Sequence, residues 1–228
     1  MVIPIITIDG DSGSGKGTLA HKLADHFGFH YLDSGAIYRI VAYAADHYQW
    51  LDLPEDAFNE KVKGLDISFQ PCENEETYKA FCNNQDVSSL IRHPNVSSLA
   101  SQLSARQSLR TMLLKTQQDF AKLPGLVTDG RDMGTIVFPN APVKLYLTAD
   151  PEIRAKRRYK QLKDSDNDVN LADVEKKLNE RDQRDKSRAA APLKAAADAL
   201  IIDSTLLSAD EVFTQALSHI SSKKLIST

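Results

Sequence analysis

The chain has 228 residues, of which 42% are hydrophobic and 26% charged, and its formal net charge is −3. This balance predicts a globular protein with a full core, and the absence of a basic excess argues against binding to nucleic-acid polymers. The longest apolar runs, such as VIPIITI, are short and lack a basic leader or a cleavage site. We therefore expect neither a secretory signal nor a membrane span, and we expect the protein to lie in the cytoplasm.

In chain order, short apolar runs alternate with segments of helical periodicity. The apolar run VIPIITI is followed by the helical segment KGTLAHKLADHF. Two further apolar runs, GLVTDG and PVKLYLTAD, come later in the chain, and a last one, DALIIDST, is followed by the helical segment SADEVFTQALSHI. Strands that alternate with helices predict an α/β fold, a parallel sheet flanked by helices. Two regions break the alternation. Residues 62–92 have the alternating pattern of a small antiparallel insert, and residues 151–190 are charged and helical.

The two cysteines, Cys72 and Cys82, lie ten positions apart and form no CxxC pair. Their spacing predicts reduced, structurally incidental thiols instead of a metal or redox site.

The segment DGDSGSGKGT, residues 9–18, follows the first predicted strand and opens the first predicted helix. Its GxxxxGK spacing is that of a P-loop, in which glycines let backbone N–H groups surround phosphate oxygens and a lysine supplies a positive charge. We therefore predict that a nucleotide's phosphates contact the residues of this loop: Gly10, Asp11, Ser12, Gly13, Ser14, Gly15, Lys16, Gly17 and Thr18.

The residue after Lys16 is Gly17, where many P-loop proteins have a hydroxyl that binds magnesium. Without that hydroxyl the ion depends on water, nucleotide oxygens and a distant carboxylate. Asp129, at the end of the predicted strand GLVTD, is the candidate and would act through water. The alternative is that Asp129 only forms a turn before Gly130.

Loops that end in GKGT resemble those of nucleoside monophosphate kinases. The further motifs LDSGAIYR at 32–39, ASQ at 100–102, DGRDMGTIVFPNAPVK at 129–144, ERDQRDKSRAAAPL at 180–193 and DST at 203–205 are similar to those of bacterial cytidylate kinases. The resemblance spans nearly the whole chain. It implies a P-loop NTPase-like sheet in a single kinase domain, residues 1–228, with an acceptor-binding region at about 34–122, the insert at about 62–92 and a helical lid at about 151–190.

The resemblance also implies which residues contact the acceptor, CMP or dCMP. The phosphate would be held by Ser34, Tyr38, Arg39 and Arg131, the base by Ser101, Arg110, Asp132 and Arg188, and the sugar by Arg181 and Asp185. Guanidinium groups suit phosphate because they form two parallel hydrogen bonds with it. A carboxylate at position 132 would accept from the cytosine amine but would face a carbonyl oxygen of uracil, which explains a preference for cytosine.

The charged segment ERDQRDKSR has a spacing that favours a site over a solvated face. On a continuous helix, Arg181, Asp185 and Arg188 lie at i, i+4 and i+7 and share one stripe, while Asp182 and Lys186 pair on another side. The alternative is a surface helix with ordinary i,i+4 ion pairs.

The segment RAKRRYK at 154–160 is a second charged stretch. Arg157 and Arg158 are candidates for steadying the donor phosphates during transfer, and a basic solvated helix face is the alternative.

The mechanism implied is direct in-line transfer from magnesium-bound ATP to CMP or dCMP, which yields CDP or dCDP. A phosphate oxygen of CMP is already ionised at neutral pH, so no general base is needed. Positive charges carry the catalysis, and the candidates are Lys16, Arg131, Arg157 and Arg181. Because both substrates are small, we expect a monomer to suffice.

Two alternatives belong to other functional classes. A GTPase-type switch would need an NKxD motif and a DxxG after a strand, but the chain has only NNQD at 83–86 and lacks such a DxxG. A P-loop kinase for another small acceptor, such as UMP, AMP or an alcohol metabolite, is the second alternative.

Overall fold

The computed structural model describes residues 3–71, 78–164 and 169–223. In these ranges the strands are β1 (Ile5–Gly10), β2 (His30–Asp33), β3 (Ile67–Pro71), β4 (Tyr78–Cys82), β5 (Gln85–Asp86), β6 (Leu126–Gly130), β7 (Val143–Thr148) and β8 (Leu200–Asp203). The α-helices are α1 (Lys16–Phe27), α2 (Ser34–His47), α3 (Glu55–Lys63), α4 (Pro94–Leu103), α5 (Gln107–Gln118), α6 (Pro151–Lys163), α7 (Leu171–Ser187) and α8 (Ala209–Ser222). A 3₁₀ turn covers Leu90–Arg92 and a π-helical turn covers Met133–Val137.

The main sheet has five strands in the order β2-β6-β1-β7-β8, and the β6-β1, β1-β7 and β7-β8 pairs are parallel. β1 and β6 are the most buried strands, as expected for parallel strands with both faces covered. The predicted α/β fold is therefore confirmed. Since parallel strands place their carboxyl ends at one edge, the loops after β1, β6 and β7 emerge on the same side of the sheet.

A second sheet, antiparallel and in the order β3-β4-β5, lies where the sequence predicts an insert. Its buried residues Ala80 and Cys82 pack with α2 residues such as Ile40 and Ala44. Burial raises the pKa of the Cys82 thiol, which disfavours the nucleophilic thiolate form. Cys72, the other predicted structural thiol, falls outside the described residues.

The chain divides into two compact units. The phosphate-loop unit consists of Met1–Leu32 and Gln118–Thr228, and the insert unit consists of Asp33–Gln117. The single kinase domain of the sequence analysis stays a prediction. Within the described ranges, no helix has the length and apolar character needed to cross a bilayer.

Candidate active site

The predicted P-loop connects β1 to α1, which begins at Lys16. Gly13 has φ +78°, and a Cβ there would lie 2.9 Å from the carbonyl oxygen of Arg154. Gly10 has φ +146°, and its Cβ would lie 2.0 Å from the carbonyl oxygen of Leu147. Both positions therefore require glycine, because the loop is packed against the backbone of neighbouring elements.

Lys16 is 7% exposed, and its ammonium donates to the backbone carbonyl of Asp11 at 3.1 Å. The hydroxyl of Ser14 donates to the same carbonyl at 2.9 Å. The lysine thus lies along the loop that it is predicted to serve, with its charge held close to the backbone that would surround a phosphate.

Asp9, the last residue but one of β1, is a buried carboxylate that the sequence analysis did not assign. Its two oxygens accept from the backbone N–H groups of Met133 and Gly134, each at 2.8 Å. Burial raises the pKa of Asp9 to about 6, although these hydrogen bonds act in the opposite direction. Asp9 therefore fixes the segment that follows Arg131 and Asp132 at the end of β1.

The raised pKa of Asp9 predicts a pH dependence of stability. The folded chain keeps this proton up to about pH 6, while the unfolded chain releases it near 3.8. Between these values the folded state binds more protons, so stability falls as pH rises, by about 3 kcal/mol in all, and stays level above the window. Asp9→Asn does not titrate. Urea unfolding at pH 4, 5, 6 and 7 should show wild type losing stability relative to the variant. Parallel curves for the two proteins would contradict the prediction.

Asp129 is buried and lies in β6, opposite Ile8 of β1. Ile8 is two positions before Gly10, where the P-loop begins. The hydroxyl of Tyr31 donates to its Oδ1 at 2.6 Å. Tyr31 is itself buried and contacts the ring of His21, with centroids 4.1 Å apart. Asp129 is therefore part of strand β6 instead of a turn, and a side chain from β2 holds its carboxylate. It lies near the carboxyl ends of the strands, on the side of the sheet from which the P-loop emerges.

Arg131 and Asp185 form a partly buried ion pair, with an Nε–Oδ2 distance of 2.7 Å. The Nε of Arg181 lies 3.9 Å from the same oxygen. Burial alone raises the pKa of Asp185, but the two guanidinium groups lower it below its usual value. Burial likewise lowers the pKa of Arg131, and the Asp185 carboxylate raises it above its usual value. Arg131 and Asp185 therefore both stay charged at neutral pH, and the predicted phosphate and sugar residues of this unit lie together.

The two predicted base-reading residues of this unit also lie together. A terminal nitrogen of Arg188 is 3.9 Å from Oδ1 of Asp132, and both side chains are 5% exposed. The Nε of Arg188 donates to the carbonyl of Ala191 at 2.5 Å. The predicted helical stripe is wrong at one point. α7 ends at Ser187, and Arg188 has extended backbone with ψ 137°, so it meets Asp132 by leaving the helix.

The predicted pairing of Asp182 with Lys186 is also wrong. Asp182 is 7% exposed and pairs with Arg154 of α6 at 2.5 Å. Lys186 instead lies 3.4 Å from a carboxylate oxygen of Asp11 in the P-loop. Packing of α7 against α6 selects the partner of Asp182, because a buried carboxylate requires a partner that is also buried. The side chain of Lys186 is 54% exposed and reaches Asp11 from the surface of α7.

Arg157 donates to the hydroxyl and to the carbonyl of Ser204, at 3.0 and 2.6 Å. The hydroxyl of Ser204 donates in turn to the carbonyl of Ser14 in the P-loop, at 2.9 Å. Arg157 is thus partly buried and is tied to the phosphate loop through the DST segment. Arg158 differs, since it donates to Gln161 on the exposed side of α6.

In the insert unit, Arg39 forms an ion pair with Asp33. The other oxygen of Asp33 accepts from the backbone N–H of Ala36 at 3.0 Å and so caps α2. Ser34 is the first residue of that helix and is buried. Asp33 therefore orients a predicted phosphate-binding arginine at a helix N-terminus, a position that favours anions.

The other predicted residues of the insert unit are Tyr38, Ser101 and Arg110, all buried. The guanidinium of Arg110 lies over the Tyr38 ring, 5.6 Å from its centroid. It also donates to the carbonyl of Ser104 at 3.2 Å, and the hydroxyl of Ser104 donates to the carbonyl of Ser101 at 2.9 Å. α2, α4 and α5 thus bring these three residues into one connected group.

The family model for cytidylate kinase matches residues 6–222. A cytidylate kinase from Nitrosococcus oceani is 48% identical over 221 residues, which cover 97% of this chain and 97% of that protein. The chain belongs to the cytidylate kinase family. Cytidylate kinase 1 of Haemophilus influenzae is 51% identical over 216 residues, covering 95% of this chain and 93% of that protein. The solved structure of TT1252 from Thermus thermophilus matches with a TM-score of 0.48 at 16% identity, covering 98% and 99% of the two chains, which is too weak a likeness to support an inference.

The resemblance drawn from the motifs is therefore confirmed, and this member of the cytidylate kinase family is a P-loop kinase, a phosphotransferase. A GTPase-type switch or a kinase for another acceptor is not favoured.

Sequence reasoning missed several residues that hold the site: Asp9, Tyr31, Asp33, Arg154, Asp182 and Ser204. Three of them did carry a signal in the sequence. Asp9 lies near the end of a buried strand, Asp33 precedes a helix as a capping residue, and Ser204 lies in the DST motif. For the others, the partner is more than twenty positions away, and no local pattern identifies it.

Proposed function

We propose that the chain transfers the γ-phosphate of ATP to CMP and dCMP, forming CDP and dCDP by direct in-line displacement. The observation that carries the choice of base is the buried pair of Asp132 and Arg188, whose charged groups lie 3.9 Å apart. A carboxylate beside a guanidinium offers an acceptor to the cytosine amine and donors to the adjacent ring nitrogen and carbonyl. This complementarity, in a chain of the cytidylate kinase family, favours cytosine over uracil.

In the phosphate-loop unit we assign the donor phosphates to the loop residues from Gly10 to Thr18. Lys16 and Arg157 supply positive charge to them. Arg131 and Arg181 carry charge toward the transferred group, and Arg181 with Asp185 also contacts the sugar. These assignments follow from charge placement, because phosphoryl transfer needs positioning and electrostatic stabilisation and no covalent chemistry from the protein.

In the insert unit we assign Ser34, Tyr38 and Arg39 to the acceptor phosphate. The support is that Arg39 is oriented by Asp33 beside the N-terminus of α2. Ser101 and Arg110 are assigned to the base, supported by their burial and by the contact of Arg110 with the Tyr38 ring.

We propose Mg²⁺ as the metal that accompanies ATP, with Asp129 holding it through water. Asp129 fits because carboxylate oxygen is a ligand that Mg²⁺ prefers, and because Tyr31 fixes its orientation at 2.6 Å. Gly17 has no side-chain hydroxyl that could bind the ion, and this fits an ion that a carboxylate holds through water. Bound Mg²⁺ would neutralise charge on the donor phosphates.

Asp129→Asn should raise the Mg²⁺ concentration for half-maximal activity about tenfold, because the neutral amide is a weaker partner for metal-bound water. CMP affinity measured without ATP should stay close to that of wild type. Asp25→Asn, a change at an exposed position of α1, is the matched control. A large loss of CMP affinity in Asp129→Asn would instead assign Asp129 to the acceptor site.

Thermal shifts with ATP, GTP, CMP, dCMP, UMP, AMP and GMP test the proposed function. CMP and dCMP should each stabilise the protein, since a ligand that binds the folded state raises its melting temperature. Stabilisation by GTP alone would indicate a switch, and stabilisation by UMP or AMP in place of CMP would indicate another acceptor.

We further propose that the enzyme works as a monomer in the cytoplasm and binds no nucleic-acid polymer. The net charge of −3 supports the last point, because polymer binding relies on many lysine and arginine contacts to phosphates. The location is supported by the substrates, which are nucleotides of the cell interior.

A further inference from the structure

Arg154, in the first turn of α6, is 3% exposed and links three segments of the phosphate-loop unit. Its Nε donates to the carbonyl of Ala149 at 2.9 Å. One terminal nitrogen donates both to the carbonyl of Ser12 in the P-loop, at 3.2 Å, and to Oδ2 of Asp182 in α7, at 2.5 Å. A single guanidinium therefore touches the donor-phosphate loop and α7 at once.

The buried carboxylate of Asp182 depends on Arg154 for its ion pair. Its side chain is 9% exposed, and in the described part of the chain its Oδ1 has no hydrogen-bond partner. A buried carboxylate with one oxygen unsatisfied is costly to keep unless its partner is held in place. It follows Arg181 directly and precedes Asp185 by three positions in α7, so the contact that holds Asp182 also holds the helical backbone that carries those two residues.

The P-loop is fitted to Arg154 through the backbone as well. At Gly13 a Cβ would lie 2.9 Å from the carbonyl oxygen and 3.2 Å from the Cβ of Arg154. A displacement of Ser12 or Gly13 therefore cannot leave the start of α6 unaffected, since packed contacts of this kind transmit movement.

We infer that Arg154 and Asp182 are a positioning pair that couples the phosphate loop to α7, so that donor binding at the loop strengthens acceptor binding by Arg181 and Asp185. This inference rests on the proposed function. The pair touches the loop's backbone and α7, and it acts through Arg181 and Asp185 instead of contacting the acceptor. Such coupling is reciprocal, so CMP strengthens binding of the donor by the same factor.

The test measures the dissociation constant of CMP by calorimetry, without and with a saturating β,γ-imido analogue of ATP and Mg²⁺. In wild type the analogue should tighten CMP binding about fivefold or more, which is the lower end of measured couplings. In Asp182→Asn and in Arg154→Lys the analogue should change the dissociation constant of CMP by less than about twofold. Lysine has a single point of charge and cannot reach three segments as guanidinium does. CMP affinity without the analogue should change less than about threefold.

Glu152→Gln and Lys156→Ala are the matched controls, because they break an exposed i,i+4 ion pair of the same helix at 2.8 Å and should keep the full coupling. Where a single variant does not fold, the double variant Arg154→Met/Asp182→Leu replaces the pair by apolar groups of similar size. If the double variant is also unfolded, the pair is purely structural and the inference is overturned.

The outcomes separate the two proposals. A wild-type protein that does not bind CMP contradicts the proposed function. A wild-type protein that binds both ligands independently, or variants that keep the wild-type coupling factor, contradict the coupling and leave the proposed function standing.

Discussion

Lys16→Ala should lower kcat by about 10²- to 10³-fold, the loss typical of removing one preorganised group that stabilises charge in a transition state. The ammonium donates to a carbonyl of its own loop at 3.1 Å and is 7% exposed, so it is already in place when the donor phosphates arrive. Folding should change little, because the lost hydrogen bond to Asp11 is one of two on that carbonyl. Steady-state kinetics with saturating ATP and CMP, together with a thermal melt, measure both quantities.

Lys22→Ala is the control for this variant. Lys22 lies on the same helix, but its side chain is 33% exposed and pairs with Asp210 of α8. It should keep nearly all activity, because an exposed ion pair contributes little and lies away from the loop. A Lys16→Ala enzyme with near wild-type kcat would remove the assignment of this loop to the donor phosphates.

Asp132→Ala should reduce kcat/KM for CMP by about 2 to 4 kcal/mol, the range for removing the partner of a buried charged group. Asp132 is 3% exposed, and a terminal nitrogen of Arg188 lies 3.9 Å from its Oδ1, so the substitution removes the proposed acceptor of the cytosine amine and a negative charge beside a buried guanidinium. The value of kcat/KM for UMP should fall much less, because the carbonyl of uracil forms no favourable contact with the carboxylate. The preference for CMP over UMP should therefore shrink by tens-fold.

The measurement is kcat/KM for CMP and for UMP at saturating ATP in wild type, Asp132→Ala and Arg188→Ala. Asp210→Ala serves as the control, since that side chain is 85% exposed. An equal fall for both acceptors in Asp132→Ala would show that Asp132 holds phosphate, metal or the loop itself, and would withdraw its role in choosing the base.

The sequence alone was enough to predict the P-loop, the α/β fold and the antiparallel insert. These features depend on local information: the glycines and the lysine of residues 10–16, short buried runs next to helical periods, and alternation in residues 62–92. The family was also predictable, because the motifs that carry the resemblance are contiguous and the chain belongs to that family. The residues assigned to the acceptor site stay a prediction.

The tertiary structure decided which charged groups pair and how far each is buried. Sequence spacing paired Asp182 with Lys186 along one helix, but packing pairs Asp182 with Arg154 and Lys186 with Asp11. It likewise ends α7 before Arg188 and brings Asp9 to the backbone of Met133 and Gly134. An i,i+4 pair on an exposed helix gains only a few tenths of a kcal/mol, whereas a desolvated charge must find a partner wherever the fold supplies one. Sequence spacing therefore predicts which helix carries a charged residue, and the packing of that helix against other elements determines the residue's ion-pair partner.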